Sequence, residues 1–353
     1  MKHGLLLVLL LSFTFFAVAQ EKPLTQTEYV KMLYGLQKSP GTKADIVDAI
    51  RKRGIDFVLT DGIRGLTRSK GGNDEELRRA LEEADRRRQD PEASRLPSKQ
   101  EAEAVLEKAR KNTLEAVGEM PDFVVKQQIQ RSAAFAGTNN FRNIDQLVVA
   151  VSYRSSGEES YKVLTVNGAI QNNPQAKSSY EEVGGTSSTG EFVTMLATIF
   201  KPESETKFEV VDTDVIRTRR AIVYDFTVDR DHAKQMLSCK ATIADSTLTG
   251  LKGRIWVDRD SARVLRIESE ATDIPPGFLC PTAKRNIDYD WTTIADEKYL
   301  LPLLSDVRLT IRDAGKIYET RNLIKFKNYQ KYGTDVIILD EDSKPIEEEK
   351  PNQ

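Results

Sequence analysis

Beyond Pro121 the apolar residues recur at every second position, the spacing of a strand that buries one face. Leu147, Val149, Val151 and Tyr153 share one side, and Ile222, Tyr224, Phe226 and Val228 share another. Leu237, Cys239, Ala241 and Ile243 repeat the pattern and place Cys239 inward. The same alternation predicts strands at Arg254 to Val257, Arg263 to Ala271, Ile287 to Thr293, Val307 to Arg312 and Ile317 to Phe326. Their connections are short. Asn167-Gly168 follows Lys162 to Val166 as a tight hairpin turn, because both residues tolerate positive φ, and Asp258 to Ala262 and Asp313-Ala314-Gly315 are further turns. Such links join antiparallel neighbours, since a parallel pair needs a crossover of about a dozen residues or more.

Before residue 120 the period is helical. Thr25 and Glu28 form a capping box ahead of Tyr29, Val30, Met32, Leu33 and Leu36. Thr42 precedes a second helix with Ile46, Val47 and Ile50, closed by Gly54. Thr60 caps a third through Ile63 and Leu66, ended by Gly71-Gly72, and Asn73 starts a fourth with Leu77, Ala80, Leu81 and Ala84. Ile55 and Phe57 plug the thin core of this bundle from the link between the second and third helices. Arg86 to Pro97 is charged, holds two prolines and lacks periodicity, as a linker does. Ser98 then caps another helix, whose apolar residues Ala104, Val105, Ala109, Leu114 and Val117 should pack on the next domain.

One helical interruption shapes the sheet region. Thr186 to Thr189 is small and polar, and Phe192, Val193, Leu196, Ala197, Ile199 and Phe200 follow at helical spacing until Pro202. A helix this apolar must be covered by sheet. The expected fold is α+β: a curved antiparallel sheet, an open half-barrel, with this helix and the Ser98 to Val117 helix on its concave side, preceded by a small helical bundle. The expected domains are a signal peptide over 1–19, a small helical domain over 20–88, a linker and connecting helix over 89–118, the open-barrel domain over 119–335, and a disordered acidic tail over 336–353.

Residues 1–20 have the build of a cleavable secretory leader: Lys2, an apolar run from Gly4 to Phe16, and the small-x-small site Ala17-Val18-Ala19. The run is short for a bilayer span of ~20 residues, and Gln20 stands where a lipoprotein needs cysteine. The expectation is a periplasmic protein, or a secreted one, without a transmembrane segment. Losing Lys2 takes the formal net charge from −2 to −3, which favours neither nucleic acid nor an anionic membrane surface. Cys239 and Cys280 are the only cysteines. An even pair in an exported chain reads as a disulfide, with a buried reduced pair as the alternative.

The order of amphipathic helix, strands, apolar helix and long meander resembles the LolA and LolB lipoprotein carriers and the RseB sensor, over residues 100 to 330. The hairpin Gly253-Arg254-Ile255-Trp256-Val257-Asp258-Arg259-Asp260 with Arg263 to Glu268 carries the most similar letters. The helical module before residue 90 is extra to that family. The resemblance implies an unclosed barrel whose concave face and covering helices form an apolar cavity that receives acyl chains. An unclosed barrel cannot fill its interior with its own side chains, which leaves apolar walls to a ligand. Tyr224, Phe226, Trp256, Leu265, Ile267, Trp291 and Leu309 are the candidate wall residues, with ordinary core as the alternative for each.

Catalytic arrangements fare worse. Without the leader His232 is the only histidine, and neither a Gly-x-Ser-x-Gly elbow nor zinc-spaced cysteines occur. Asp288 with Asp290 and Glu268 with Glu270 are same-face pairs that would suit acid/base or calcium chemistry, but solvated outer faces account for them more simply. Gly184-Gly185-Thr186-Ser187-Ser188 lacks the Gly-Lys-Ser/Thr ending of a phosphate loop and reads instead as an entrance loop beside the apolar helix. The expectation is a non-enzymatic carrier or sensor, without a cofactor or metal, that binds a lipid or a lipoprotein acyl chain. The helical module would dock an envelope protein. The alternative is a structural or interaction protein of the envelope with a filled core.

Overall fold

The computed structural model describes residues 22–39, 42–72, 74–92, 94–138, 140–171, 183–240, 244–313 and 315–333, together with Asp342, Lys344 and Ile346. The expected leader lies outside the described residues. The chain divides into two compact units, Met1–Ser94 and Arg95–Gln353.

The first unit carries α1 (Gln26–Gly35), α2 (Lys43–Arg53), α3 (Asp61–Gly71) and α4 (Glu75–Gln89). The Thr25–Glu28 capping box is complete, and Thr60 accepts from the Ile63 amide. Thr42 makes no such cap; its hydroxyl donates to the Ser39 carbonyl at 2.8 Å instead. Asp74 rather than Asn73 caps α4, accepting from the Leu77 amide at 2.9 Å. α4 also runs past Arg86, because Asp85 collects Arg88 at 2.9 Å and Gln89 at 2.6 Å within the last turn. Tyr29, Leu33, Ile50, Ile55, Phe57 and Leu77 form the centre of this unit's core. Burial pushes the Tyr29 phenol up to about 12, and its hydroxyl is satisfied by Thr67 at 2.8 Å.

In the second unit α5 (Lys99–Gly118) leads into β1 (Phe123–Phe135), β2 (Arg142–Tyr153), β3 (Glu159–Val166) and β4 (Ala169–Ile170). Then come α6 (Thr194–Phe200), β5 (Lys207–Ile216), β6 (Arg219–Val228), α7 (Arg230–Ala233), β7 (Gln235–Lys240) and β8 (Ala244–Asp258). The chain continues through β9 (Val264–Thr272), β10 (Thr282–Ile294), β11 (Glu297–Asp313) and β12 (Lys316–Lys331). The twelve strands among the described residues form one curved antiparallel sheet in the order β4-β3-β2-β1-β12-β11-β10-β9-β8-β6-β5, unclosed at β4 and β5, with β7 paired to β8 alone. The expected open half-barrel covered by helices is the observed fold.

The turn chemistry explains much of this register. Asn167 and Gly168 take φ of 50° and 79° between β3 and β4. Pro302 sits inside β11 because it faces a bulge: the register skips Leu303 between Asp288↔Leu304 and Tyr289↔Pro302. The Asp258 carboxylate accepts from the amides of Asp260 and Ser261 at 3.0 and 2.8 Å, which folds the β8–β9 turn. Asn112 of α5 then donates to the carbonyls of Ser261 and Ala262, fastening the helix to that turn.

Two apolar clusters fill most of the concave side. Under α5 and α6, Ile222, Tyr224, Phe226, Ile255, Val257, Ile267, Ile287 and Tyr289 meet Ala109, Met195, Ile199 and Phe200. Beside it Phe123, Val125, Ile129, Leu147, Val149, Val151, Ile324 and Phe326 surround Phe192, whose ring meets the edge of Phe123 at 5.2 Å. The predicted same-face sets on β2 and β6 are therefore both inward. At each core position the burial contributes on the order of 1.5–3 kcal/mol for a large aliphatic or aromatic side chain.

Candidate functional site

The inward positions of three neighbouring strands change in size along their length. β8 presents Val257, Ile255, Gly253, Leu251 and Thr249 in turn, β9 Ile267, Ser269 and Ala271, and β10 Ile287, Arg285 and Ala283. Beyond the Ile255–Ile267–Ile287 row, Gly253, Ser269, Ala271 and Ala283 are small, and a hollow of about 360 Å³ remains beside Leu251 and Arg285. Leu237, Leu251, Ala271, Ala283, Val307 and Leu309 supply apolar wall, and Met195 of α6 closes one side. Thr186 to Thr189 lie along it. Their place is fixed by the Thr186 carbonyl, which accepts from Asn322 at 2.6 Å, and by a 2.8 Å contact between the Thr186 and Thr320 hydroxyls.

β7 completes the wall through Gln235 to Ser238. Paired only to β8, it is held by a disulfide between Cys239 and Cys280, whose Cα atoms are 6.1 Å apart. Cys239 and Cys280 pack with Phe278, Leu309 and Ile311. Ala241 and Ile243, expected to extend this strand, lie outside the described residues.

Polar side chains supply the rest of the lining, among them Gln235, Ser238, Thr249, Lys284, Arg285 and Arg308. Arg285 lines the hollow and donates to the Thr189 carbonyl at 3.1 Å. Ser188, which also lines the hollow, hydrogen bonds to the buried carboxylate of Glu191. Nearby, Glu159 accepts from Tyr161 and from the Gly190 amide at 3.1 Å. Burial raises the Glu159 carboxyl above its ordinary range and the neighbouring Glu191 adds to the shift, while Tyr161, Gly190 and Arg285 oppose it.

Of the wall residues read from the sequence, only Leu309 borders this hollow. Tyr224, Phe226 and Ile267 are solid core beneath α5 and α6. The Tyr224 hydroxyl donates to the Ala102 carbonyl at 2.8 Å. Trp256 and Leu265 belong to a separate cluster with Ile216, Ala221 and Val223 on the opposite face. Trp256 alternates with the inward Ile255 and Val257, and the bulge between Trp256↔Arg266 and Val257↔Val264 puts Leu265 on the same outer side. The Trp256 indole donates to Asp214 at 3.0 Å. Trp291 is 37% exposed and does not border this hollow. Leu251, Ser269, Ala271 and Ala283 were missed; for the last three the signal was small residues in the inward phase, and Leu251 looks like ordinary core.

The same-face carboxylates are occupied by cations. Asp288 accepts both arms of Arg266 at 2.6 and 3.0 Å, Arg217 stands 3.7 Å from Asp290, and Lys252 lies 3.9 Å from Glu270. His232 contacts the Glu203 carbonyl at 2.9 Å from the short helix α7. No helix among the described residues is long and apolar enough to cross a membrane.

No protein-family model matches the chain, and no curated protein does. Among solved structures it is similar to a DUF1329 family protein from Desulfovibrio piger, at 9% identity and a TM-score of 0.26 over 65% of this chain and 95% of that one. Pseudomonas aeruginosa MucB, in its complex with MucA, is similar at 9% identity and a TM-score of 0.18, over 62% and 93% of the two chains. A second MucB structure, with MucA(peri), gives 9% and 0.18 over 64% and 94%. Likenesses this distant set neither a family nor an activity.

Proposed function

We propose that the protein is an exported, non-enzymatic carrier or sensor that holds an amphiphile, a lipid or the acyl chain of a lipoprotein, in the hollow between β7 and α6. The observation that carries this reading is the volume itself: about 360 Å³ left open beside α6, with apolar wall from Leu237, Leu251, Ala271, Val307 and Leu309 and with Lys284, Arg285 and Arg308 among its polar lining. That size falls in the ~300–1,000 Å³ range of ligand pockets. Each methylene brought there from water contributes ~0.8 kcal/mol, so an acyl chain supplies affinity without a charged contact. Arg285, Ser188 and Ser269 in the lining suit a polar or anionic head group. The pairing of Asp288, Asp290 and Glu270 with Arg266, Arg217 and Lys252 favours binding over carboxylate catalysis.

Native mass spectrometry of protein purified from its own envelope tests the proposal. Co-purifying lipid is expected, and its amount should fall several-fold on Ala271→Phe with the fold retained. A bare mass favours the second reading, an envelope interaction protein, which the solid packing of the remaining concave side supports.

A further inference from the structure

The outward face of β1 and β2 holds a piece of the chain's own terminus. Lys126 is 0% exposed, and its ammonium meets the Asp342 carboxylate, also 0% exposed, at 2.5 Å. Lys327, the cross-strand partner of Lys126, stands 4.0 Å from the other Asp342 oxygen. Two residues along β1, the Gln128 amide donates to the carbonyls of Asp342 and Lys344 at 3.1 and 2.5 Å. Gln146 of β2 donates to the same two carbonyls at 3.1 and 2.7 Å. Two residues further, the Gln130 carboxamide oxygen accepts from the Ile346 amide at 3.0 Å, and the Ile346 side chain is buried. The tail expected to be disordered therefore has Asp342, Lys344 and Ile346 seated, while the rest of 336–353 lies outside the described residues.

This arrangement has the features of a peptide receptor. Side chains at i, i+2 and i+4 of a strand repeat at the period of an extended peptide, so Lys126, Gln128 and Gln130 meet Asp342, Lys344 and Ile346 in step. The glutamines address backbone carbonyls and an amide, which every sequence offers. Specificity comes from the ends: the buried Lys126 ammonium with the half-buried Lys327 beside it demands a carboxylate, and Ile346 supplies an aliphatic anchor four residues later.

We propose that this face is a binding site for an extended acidic segment of a partner protein, Asp or Glu followed at the fourth residue by an aliphatic side chain, and that Asp342, Lys344 and Ile346 occupy it in cis until displaced. Because the cis segment belongs to the same chain, it competes intramolecularly, an advantage a partner must overcome. The site is independent of the hollow.

A fluorescent peptide with the sequence of residues 339–349 tests this on the full-length chain. Anisotropy should show at least tenfold tighter binding to the Asp342→Ala/Ile346→Ala variant than to the unaltered chain. Addition of Gln128→Ala should weaken that binding again by tenfold or more. A second measurement needs no altered protein: saturating unlabelled peptide should speed proteolytic cutting beyond residue 333 several-fold, and the same peptide with Asp342→Lys should not. Equal binding of the acidic and the charge-reversed peptides overturns the proposal, as does the absence of both binding to the variant and accelerated cutting of the unaltered chain.

Discussion

Gly253 approaches β9 so closely that a Cβ there would stand 1.9 Å from the Glu268 carbonyl oxygen. Any side chain must push two backbones apart in the middle of the β8–β9 ladder. Gly253→Ala is expected to cost about 3 kcal/mol, the upper part of the range for overpacking, as read by urea denaturation. A variant within 0.5 kcal/mol of the parent, on the order of a neutral surface change, contradicts the close approach.

Filling the hollow separates binding from folding. Ala271→Phe and Ala283→Leu each place carbon in open volume, so lipid uptake should drop at least tenfold while the melting temperature stays near that of the parent. Trp291→Ala, on a residue outside the hollow, should leave uptake unchanged. Loss of uptake in the Trp291 variant would move the site elsewhere.

Removal of the Cys239–Cys280 bond frees β7 from all but its β8 ladder. With a sequence separation of 41, the loop-entropy relation gives about 4 kcal/mol of lost stability for the double Cys→Ala variant. Denaturation with and without reductant should show that difference in the parent and none in the variant.

The pH response should carry two opposite signatures. The Glu159 carboxyl is raised in the folded chain, first by burial and then by Glu191. Its contribution to stability is thus full below the ordinary carboxylate range and fades as pH climbs through the raised value. Asp122 is the reverse: the Ser155 amide and Arg154 lower it to about 2, so its contribution is present above the ordinary range and disappears as pH falls toward 2. Glu159→Gln should therefore stabilise the protein at pH 7 more than at pH 4, and Asp122→Asn should weaken it at pH 7 while mattering little at pH 2. A Glu159→Gln effect that does not vary with pH refutes the raised carboxyl.

Local signals in the sequence were legible where the deciding partner was also local. The Thr25–Glu28 box, the Asn167-Gly168 turn and the Ile222 to Val228 alternation each need only neighbours in sequence, and each has the predicted form. β1 did not stand out, because Lys126, Gln128 and Gln130 look like a solvated face until Asp342, Lys344 and Ile346 meet them. β11 was read only over Val307 to Arg312, whereas the strand begins at Glu297 and includes Pro302, tolerated because of a bulge. Trp256 was misplaced for a related reason: size suggested a ligand wall, whereas alternation with Ile255 and Val257 and the partner Asp214 hold it on the other side. The hollow depends on side chains that are small, and absence of bulk is a weaker signal than presence.

The sheet places its last strand at its centre: β12 joins β1 to β11, pairing Phe123 with Lys331 across two hundred residues. Until that final ribbon arrives, the early hairpins and the later meander have no common seam. Contacts of such long range make folding slow. The second unit therefore gains its one continuous sheet only through this long-range pairing, whatever the order in which its hairpins form.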